Sequence, residues 1–313
     1  MGAALSSVNP RDHGISDRML EAKSSIFELT QGQDFSYQID DTKNAAACLK
    51  LLGFVLLKDA FREDELVAAE SAVMPMIGEL VEQDIAFGNR GPNRMSANGF
   101  YANLSKQLGT ERLRQNEIIN KLMHEIFDEG YEYGGAGVDI AGPNSGYQWL
   151  HSDDNRSKPF SGDEDIRHRY WVPSMLLAHP VLEQWNNRNG PLRIVPWTAH
   201  SVRQYKDICN HGLDYDTEKQ LDWLNSWIPA ERGDVIIRDV RALHGGTPNK
   251  TEHPRIMISL AFYNSEAVKK YPDIYDPYTE GAASLPRFHN FDKEAVMKQH
   301  YREVERYGEM KTR

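Results

Sequence analysis

Cysteine is nearly absent: Cys48 and Cys209 are the only two in 313 residues. Two thiols in a chain of this length do not build a disulfide framework, so a reducing, cytoplasmic compartment is expected. No apolar run reaches the ~18 residues of a membrane span, and no signal-peptide pattern opens the sequence. A basic excess is missing too. Lys and Arg total 36 against 46 Asp and Glu, a net charge of −10, which disfavours a nucleic-acid or anionic-membrane partner. Internal repeats and Gly/Ser linkers are absent, so 1–313 is expected to form a single domain. What is present is ordinary for a soluble globular chain: 40% hydrophobic and 26% charged residues, enough for a sizeable core. Met1-Gly2-Ala3-Ala4-Leu5-Ser6 fits a myristoylation pattern. No basic cluster follows it and one acyl chain anchors weakly, so a plain start is expected. Asn-x-Ser/Thr triplets at Asn103, Asn155 and Asn249 are expected to be chance.

Hydrophobic spacing divides the chain into an arm (1–35), a core (45–265) and a C-terminal extension (266–313). Gly53-Phe54-Val55-Leu56-Leu57 predicts a short buried strand. From Phe61 to Gln83 apolar residues recur at helical spacing, with Pro75 expected to kink or split the helix. Residues 87–99 are rich in Gly, Asn and Arg and predict a loop, and 113–127 predict one further helix. Beyond about residue 130, strand-like runs at 135–141, 147–153, 170–182, 192–196, 234–243 and 255–263 alternate with turn residues. That is the pattern of a β-sandwich or jelly roll. The charged run 154–169 interrupts it, as does a stretch at 205–229 that predicts a helical insertion. After 265 the spacing predicts loop and then a charged helix over 292–308.

The run Gln148-Trp149-Leu150-His151-Ser152-Asp153 sets a histidine and a carboxylate two residues apart, on one face of a strand. A metal needs a third ligand from elsewhere. His244 is the candidate, because it ends an apolar strand and is followed at once by Gly245 and Gly246, at a rim where backbone crowding must be low. Two imidazoles and one carboxylate form a facial triad that suits iron(II) and leaves three open positions. Arg255, eleven residues beyond His244, opens the strand Arg255-Ile256-Met257-Ile258-Ser259-Leu260-Ala261-Phe262-Tyr263. Alternation puts Arg255, Met257, Ser259, Ala261 and Tyr263 on one face, and a buried guanidinium there needs a carboxylate partner. A dicarboxylic cosubstrate that chelates the metal and pairs with Arg255 is 2-oxoglutarate. Asp154 falls on the other face from Asp153.

These residues in this order resemble the phytanoyl-CoA-hydroxylase-like (PhyH) family of iron(II)/2-oxoglutarate dioxygenases. Further segments carry the resemblance: Asn189-Gly190-Pro191-Leu192-Arg193-Ile194-Val195-Pro196, Arg232-Gly233-Asp234-Val235-Ile236, Leu260 to Ser265, and Gly53 to Leu56 followed by Asp64-Glu65-Leu66. The family implies a mainly β fold with flanking helices around a double-stranded β-helix (jelly-roll, cupin-like) core. It implies iron(II) on His151, Asp153 and His244, with 2-oxoglutarate and dioxygen as cosubstrates. The substrate implied is a small molecule, oxidised with release of succinate and carbon dioxide. Relatives with Gln three residues before the first ligand use it on 2-oxoglutarate, which implicates Gln148. Strict alternation sets Gln148 opposite His151, so a bulge is required. Where the family often reads Pro-Gly-Ser-His, this chain has Pro196-Trp197-Thr198-Ala199-His200.

Tyr147 and Trp149 share the face of His151 and are candidate substrate contacts. Phe100 and Tyr101 are others, at the end of a lid expected over 87–104. Asp153 stands where a halide would bind, which argues against halogenation. A non-catalytic jelly-roll binding protein and an acyl-CoA hydroxylase are the alternatives, and a homodimer is compatible with the sequence.

Overall fold

The computed structural model describes residues 35–82, 93–98, 111–127, 130–146, 148, 150–153, 173–196, 198–200 and 226–270. All of the expected 1–35 arm but Phe35, the charged run 154–169, most of the 205–229 stretch, Tyr147, Trp149, Phe100, Tyr101 and the 292–308 helix lie outside these residues.

Strand β1 (Ser36–Tyr37) leads into helix α1 (Thr42–Leu52). Ala45, Ala46, Leu49 and Leu52 form its buried face. The helix stops at Gly53, whose φ of 86° is left-handed and whose N–H bonds back to the Leu49 carbonyl. Strand β2 (Phe54–Leu57), buried throughout, follows directly. Helix α2 (Glu63–Glu82) is one element with three acidic residues in its first turn, and Pro75 lies inside it without splitting it. The loop expected over 87–99 contains a strand instead, β3 (Arg94–Asn98), because its backbone completes the edge of a sheet. The single helix expected over 113–127 is two, α3 (Glu111–Arg114) and α4 (Glu117–Ile126). Asn116 separates them: its side-chain oxygen accepts from the N–H groups of Ile118 and Ile119, a competing local bond that starts a new helix.

The strands that follow are β4 (Tyr131–Ala141), β5 (Met175–Pro180), β6 (Leu192–Ile194), β7 (Ser226–Ile228), β8 (Val235–Asp239), β9 (His244–Gly246) and β10 (Arg255–Asn264). They form a seven-stranded sheet in the order β1-β2-β8-β5-β10-β4-β3 and a three-stranded sheet in the order β7-β6-β9. Together they give the mainly β, jelly-roll architecture expected. Three expectations need correction. Residues 148 and 150–153, the described part of the strand expected over 147–153, carry no regular strand; His151 makes one isolated antiparallel bridge to His244. Residues 226–228 are strand, not helix. The chain after 264 is helical at once, as α5 (Ser265–Lys270). No described helix is long and apolar enough to cross a membrane.

Strand β10 organises the large sheet, paired with β4 on one side and β5 on the other. Ile256, Ile258, Leu260 and Phe262 are buried on one face, each contributing about 1.5–3 kcal/mol. Arg255, Met257, Ser259, Ala261 and Tyr263 all line one cavity on the other face, as alternation requires. A bulge in β4 between Gly135 and Tyr133 leaves this alternation intact. Gly134 sits at the bulge, and a side chain there would collide with the Tyr263 ring.

Candidate active site

The cavity, about 340 Å³, is lined by residues of both sheets. On the small-sheet side stand His151, Asp153 and His244, whose potential ligand atoms all lie within 4.8 Å of one another. Asp153 Oδ1 is 3.5 Å from His151 Nε2, and its Oδ2 is 3.3 Å from His244 Nε2. Both histidines are buried. The sequence placed His244 at the end of a long strand; it instead begins β9. β8 stops at Asp239, where the Asp239–Arg241 ion pair and a turn carry the chain into the other sheet. Gly246 is needed two residues on, because a side chain there would meet the Arg94 guanidinium.

Backbone bonds show how His151 and Gln148 come to share the cavity. Gln148 N–H donates to the Gly246 carbonyl and His151 N–H to the His244 carbonyl. Three residues on one side therefore span two on the other, which is the bulge that alternation demanded. Gln148 Oε1 accepts from Gly246 N–H, and its amide nitrogen has no partner among the described residues. Arg193 donates to the Gln148 carbonyl at 2.6 Å.

His244 Nδ1 lies 2.9 Å from the Ala242 carbonyl and 3.4 Å from Arg238 Nη1. A guanidinium only donates, so the carbonyl is the true partner: Nδ1 carries the proton and Nε2 presents a lone pair to the cavity. Burial, aided by Arg238, lowers the His244 pKa to about 4, so the ring is neutral at pH 7. Burial opposes the charge on Asp153, but His244 and Arg238 beside it hold its carboxyl well below the usual carboxylate range. A neutral His244 ring and an ionised Asp153 carboxylate are in the state that binds a divalent cation. With no thiolate, the set suits iron(II) better than structural zinc.

Arg255 lies across the cavity, 2% exposed. Its Nε donates to the Gly190 carbonyl at 3.1 Å, and its guanidinium carbon sits 5.3 Å from the Trp185 ring centre. Gly190 has φ of 82°, and a side chain there would strike the Thr247 carbonyl, so the Asn189-Gly190-Pro191 turn depends on glycine. Arg255 Nη1 is buried and has no hydrogen-bond partner among the described residues. Burial lowers its pKa to about 10, against the pull of Asp139 and Glu183. A buried donor of this kind fits an absent carboxylate.

Sequence reasoning missed two arginines here. Arg94 lines the cavity from β3 and donates to the carbonyls of Gly146 and Thr247. Arg238 donates to Asp153 Oδ2 at 2.5 Å. It directly follows the apolar run Val235-Ile236-Ile237, a signal available beforehand. Arg94 had none, because its strand was taken for a loop. His200 ends a short 3₁₀ turn, Thr198–His200. Asn249, one of the glycosylation triplets, is fully buried and bonds the carbonyls of Ala141 and His253.

The phytanoyl-CoA dioxygenase (PhyH) family profile matches residues 49–257. No curated protein of similar sequence is found. Among solved structures, the fold is similar to EctD from S. alaskensis with 2-oxoglutarate and 5-hydroxyectoine (16% identity, 71% of this chain, 76% of that chain, TM-score 0.53). It is also similar to AviO1 from Streptomyces viridochromogenes Tue57 (16% identity, 72% and 96%, TM-score 0.52). The non-heme alpha ketoglutarate dependent epimerase SnoN from nogalamycin biosynthesis is a third match (15% identity, 72% and 84%, TM-score 0.51).

Proposed function

The chain belongs to the phytanoyl-CoA dioxygenase family, and from that premise we propose that it is an iron(II)/2-oxoglutarate-dependent oxygenase of a small-molecule substrate. The observation that carries this is the pairing, across one cavity, of a His-Asp-His cluster with a buried arginine whose Nη1 has no hydrogen-bond partner among the described residues. His151, Asp153 and His244 would hold iron(II), and Arg255 would take the distal carboxylate of 2-oxoglutarate through Nη1. Gln148 would offer its free amide nitrogen to the same cosubstrate. Iron(II) with 2-oxoglutarate and dioxygen supplies the oxidation of a substrate C–H bond, with succinate and carbon dioxide as coproducts.

Cross-strand rows divide the cavity. At one end lie Arg94, Ala141 and Arg255, with Asp139 beside Met257 in the next row. At the other end Gly135, Ala261 and Leu177 form a row, with Met175 and Tyr263 beyond. A Cβ on Gly135 would meet nothing within 4 Å. The charged end suits the cosubstrate. The apolar, glycine-floored end suits the substrate, so a predominantly hydrocarbon surface is expected where the reacting carbon enters. The likeness to SnoN, an alpha ketoglutarate dependent epimerase from nogalamycin biosynthesis, and to EctD with 2-oxoglutarate and 5-hydroxyectoine supports a secondary metabolite as the substrate class.

The test is incubation of the protein with iron(II), 2-oxoglutarate, ¹⁸O₂ and a metabolite extract, with mass spectrometry before and after. A metabolite that gains one labelled oxygen or loses two hydrogens, with one succinate per event, supports the proposal. A product that is a CoA thioester would assign the acyl-CoA activity instead. Tight metal binding with no cosubstrate turnover in any extract would favour a binding protein.

A further inference from the structure

Asp153 is the one member of the cluster whose orientation the sheets leave open. It follows the isolated bridge at His151, its side chain is 27% exposed, and its backbone is tied by a single bond from its N–H to the Val240 carbonyl. His244, by contrast, has its ring fixed by the Ala242 carbonyl. What holds Asp153 is Arg238, from the centre of the large sheet. Arg238 is 3% exposed, and burying a guanidinium costs several kcal/mol unless its donors are paired. Nη2 donates to Asp153 Oδ2 at 2.5 Å and Nε to His179 Nε2 at 3.1 Å. Because a guanidinium cannot accept, His179 carries its proton on Nδ1, which lies 3.1 Å from the Ile258 carbonyl and 3.2 Å from Ser259 Oγ. His179 is fully buried and bears on β10, the strand that also carries Arg255. The guanidinium is therefore braced at one side and grips the carboxylate at the other.

We propose that Arg238 is a positioning residue that engages Asp153 Oδ2 and so leaves the carboxylate to bind the metal through one oxygen. The inference rests on the iron and 2-oxoglutarate function proposed above. Coordination number gives the reason. Two imidazoles and one oxygen fill three of six positions. A chelating cosubstrate takes two, and dioxygen needs the sixth. A carboxylate bound through both oxygens would take that sixth position. The planar fork is essential, since Nη2 and Nε must serve Asp153 and His179 together; lysine brings the charge without the fork.

The experiment uses full-length wild type, Arg238→Ala, Arg238→Gln and Arg238→Lys. Iron(II) affinity is measured anaerobically by chelator competition, and the visible charge-transfer band of the iron(II)–2-oxoglutarate complex is recorded. Cobalt(II), in place of iron, reports coordination number through its d–d absorption. Arg238→Ala and Arg238→Lys should both lose iron affinity by roughly 10- to 100-fold, and cobalt absorption should move toward higher coordination or a mixture. A purely electrostatic role would be rescued by Lys and would tighten metal binding in Ala, and either outcome overturns the proposal. Circular dichroism reports folding of each apoprotein. If Arg238→Ala does not fold, Arg238→Gln, which keeps a donor, takes its place. Wild type that binds iron(II) and 2-oxoglutarate, with variants unchanged in affinity and spectrum, refutes the role of Arg238 alone. Wild type that binds neither refutes the function on which it rests.

Discussion

The large sheet is long-stranded and regular, while the small sheet is built of three-residue strands. Strand β10 runs ten residues with two paired neighbours, and its side chains alternate without fault on the cavity side. Strands β6, β7 and β9 have three residues each, and His151 joins them by one bridge. The regular sheet supplies the walls, Arg238 and Arg255. The irregular one supplies His244 and the seat of His151. The comparison teaches that rigidity and ligand convergence come from different places. Long strands fix where a wall stands, whereas turns and bulges bring three ligand atoms to one point that regular pleating would keep apart.

The largest expected effect lies on the small-sheet side. Replacing His151, Asp153 or His244 by Ala should remove iron-dependent succinate formation to background, since two ligands of a facial triad do not hold iron(II). A His244→Ala variant with full succinate formation would break the division of labour at once.

Next comes the large sheet. Arg255→Ala should raise the 2-oxoglutarate KM about 100-fold, from the roughly 2–5 kcal/mol lost when one partner of a buried charge pair is removed. Metal affinity in the absence of cosubstrate should hardly change. Steady-state KM and anaerobic iron titration check the two parts. An unchanged KM would pass the clamp to Arg94.

A smaller effect should separate the two ends of the cavity. Ala261→Leu fills the apolar end and should reduce kcat/KM for the true substrate on the order of tenfold, with 2-oxoglutarate KM unaffected. Equal changes in both would show that the two ligands share that space.

The smallest effect concerns acid. His244, held at about 4, and His179, also lowered by burial, both take up protons more readily in the unfolded chain, whose histidines titrate near 6.5. The unfolded state thus binds more protons between about pH 4 and 6.5, so stability falls as pH drops through that window. The metal-free protein's Tm should decline from pH 6.5 toward 4 and level off above 6.5. A flat Tm across that range would mean these rings are not buried and neutral.

The same contrast explains what the sequence made legible. β10, β2 and β8 were readable, because long or fully apolar runs carry a period of two or a buried-strand signature. So were the clustering of His151, Asp153 and His244 and the place of Arg255 on the same cavity. The small sheet was not. Three-residue strands show no period, and 147–153 looked like a strand because His151 and Asp153, two residues apart, fit one face of one. β3 hid in a Gly- and Asn-rich stretch, since an edge strand needs one pairing partner and tolerates poor β-formers. The break at Asn116 is a capping bond that overrides helical spacing on both sides.

The most direct measurement of the central claim needs no substrate. Equilibrium dialysis with labelled 2-oxoglutarate, under anaerobic conditions and with or without iron(II), counts cosubstrate bound per chain. The account predicts one 2-oxoglutarate per chain with iron(II), little without it, and loss of binding in both Asp153→Ala and Arg255→Ala. Binding that ignores the metal, or survives both substitutions, would contradict it.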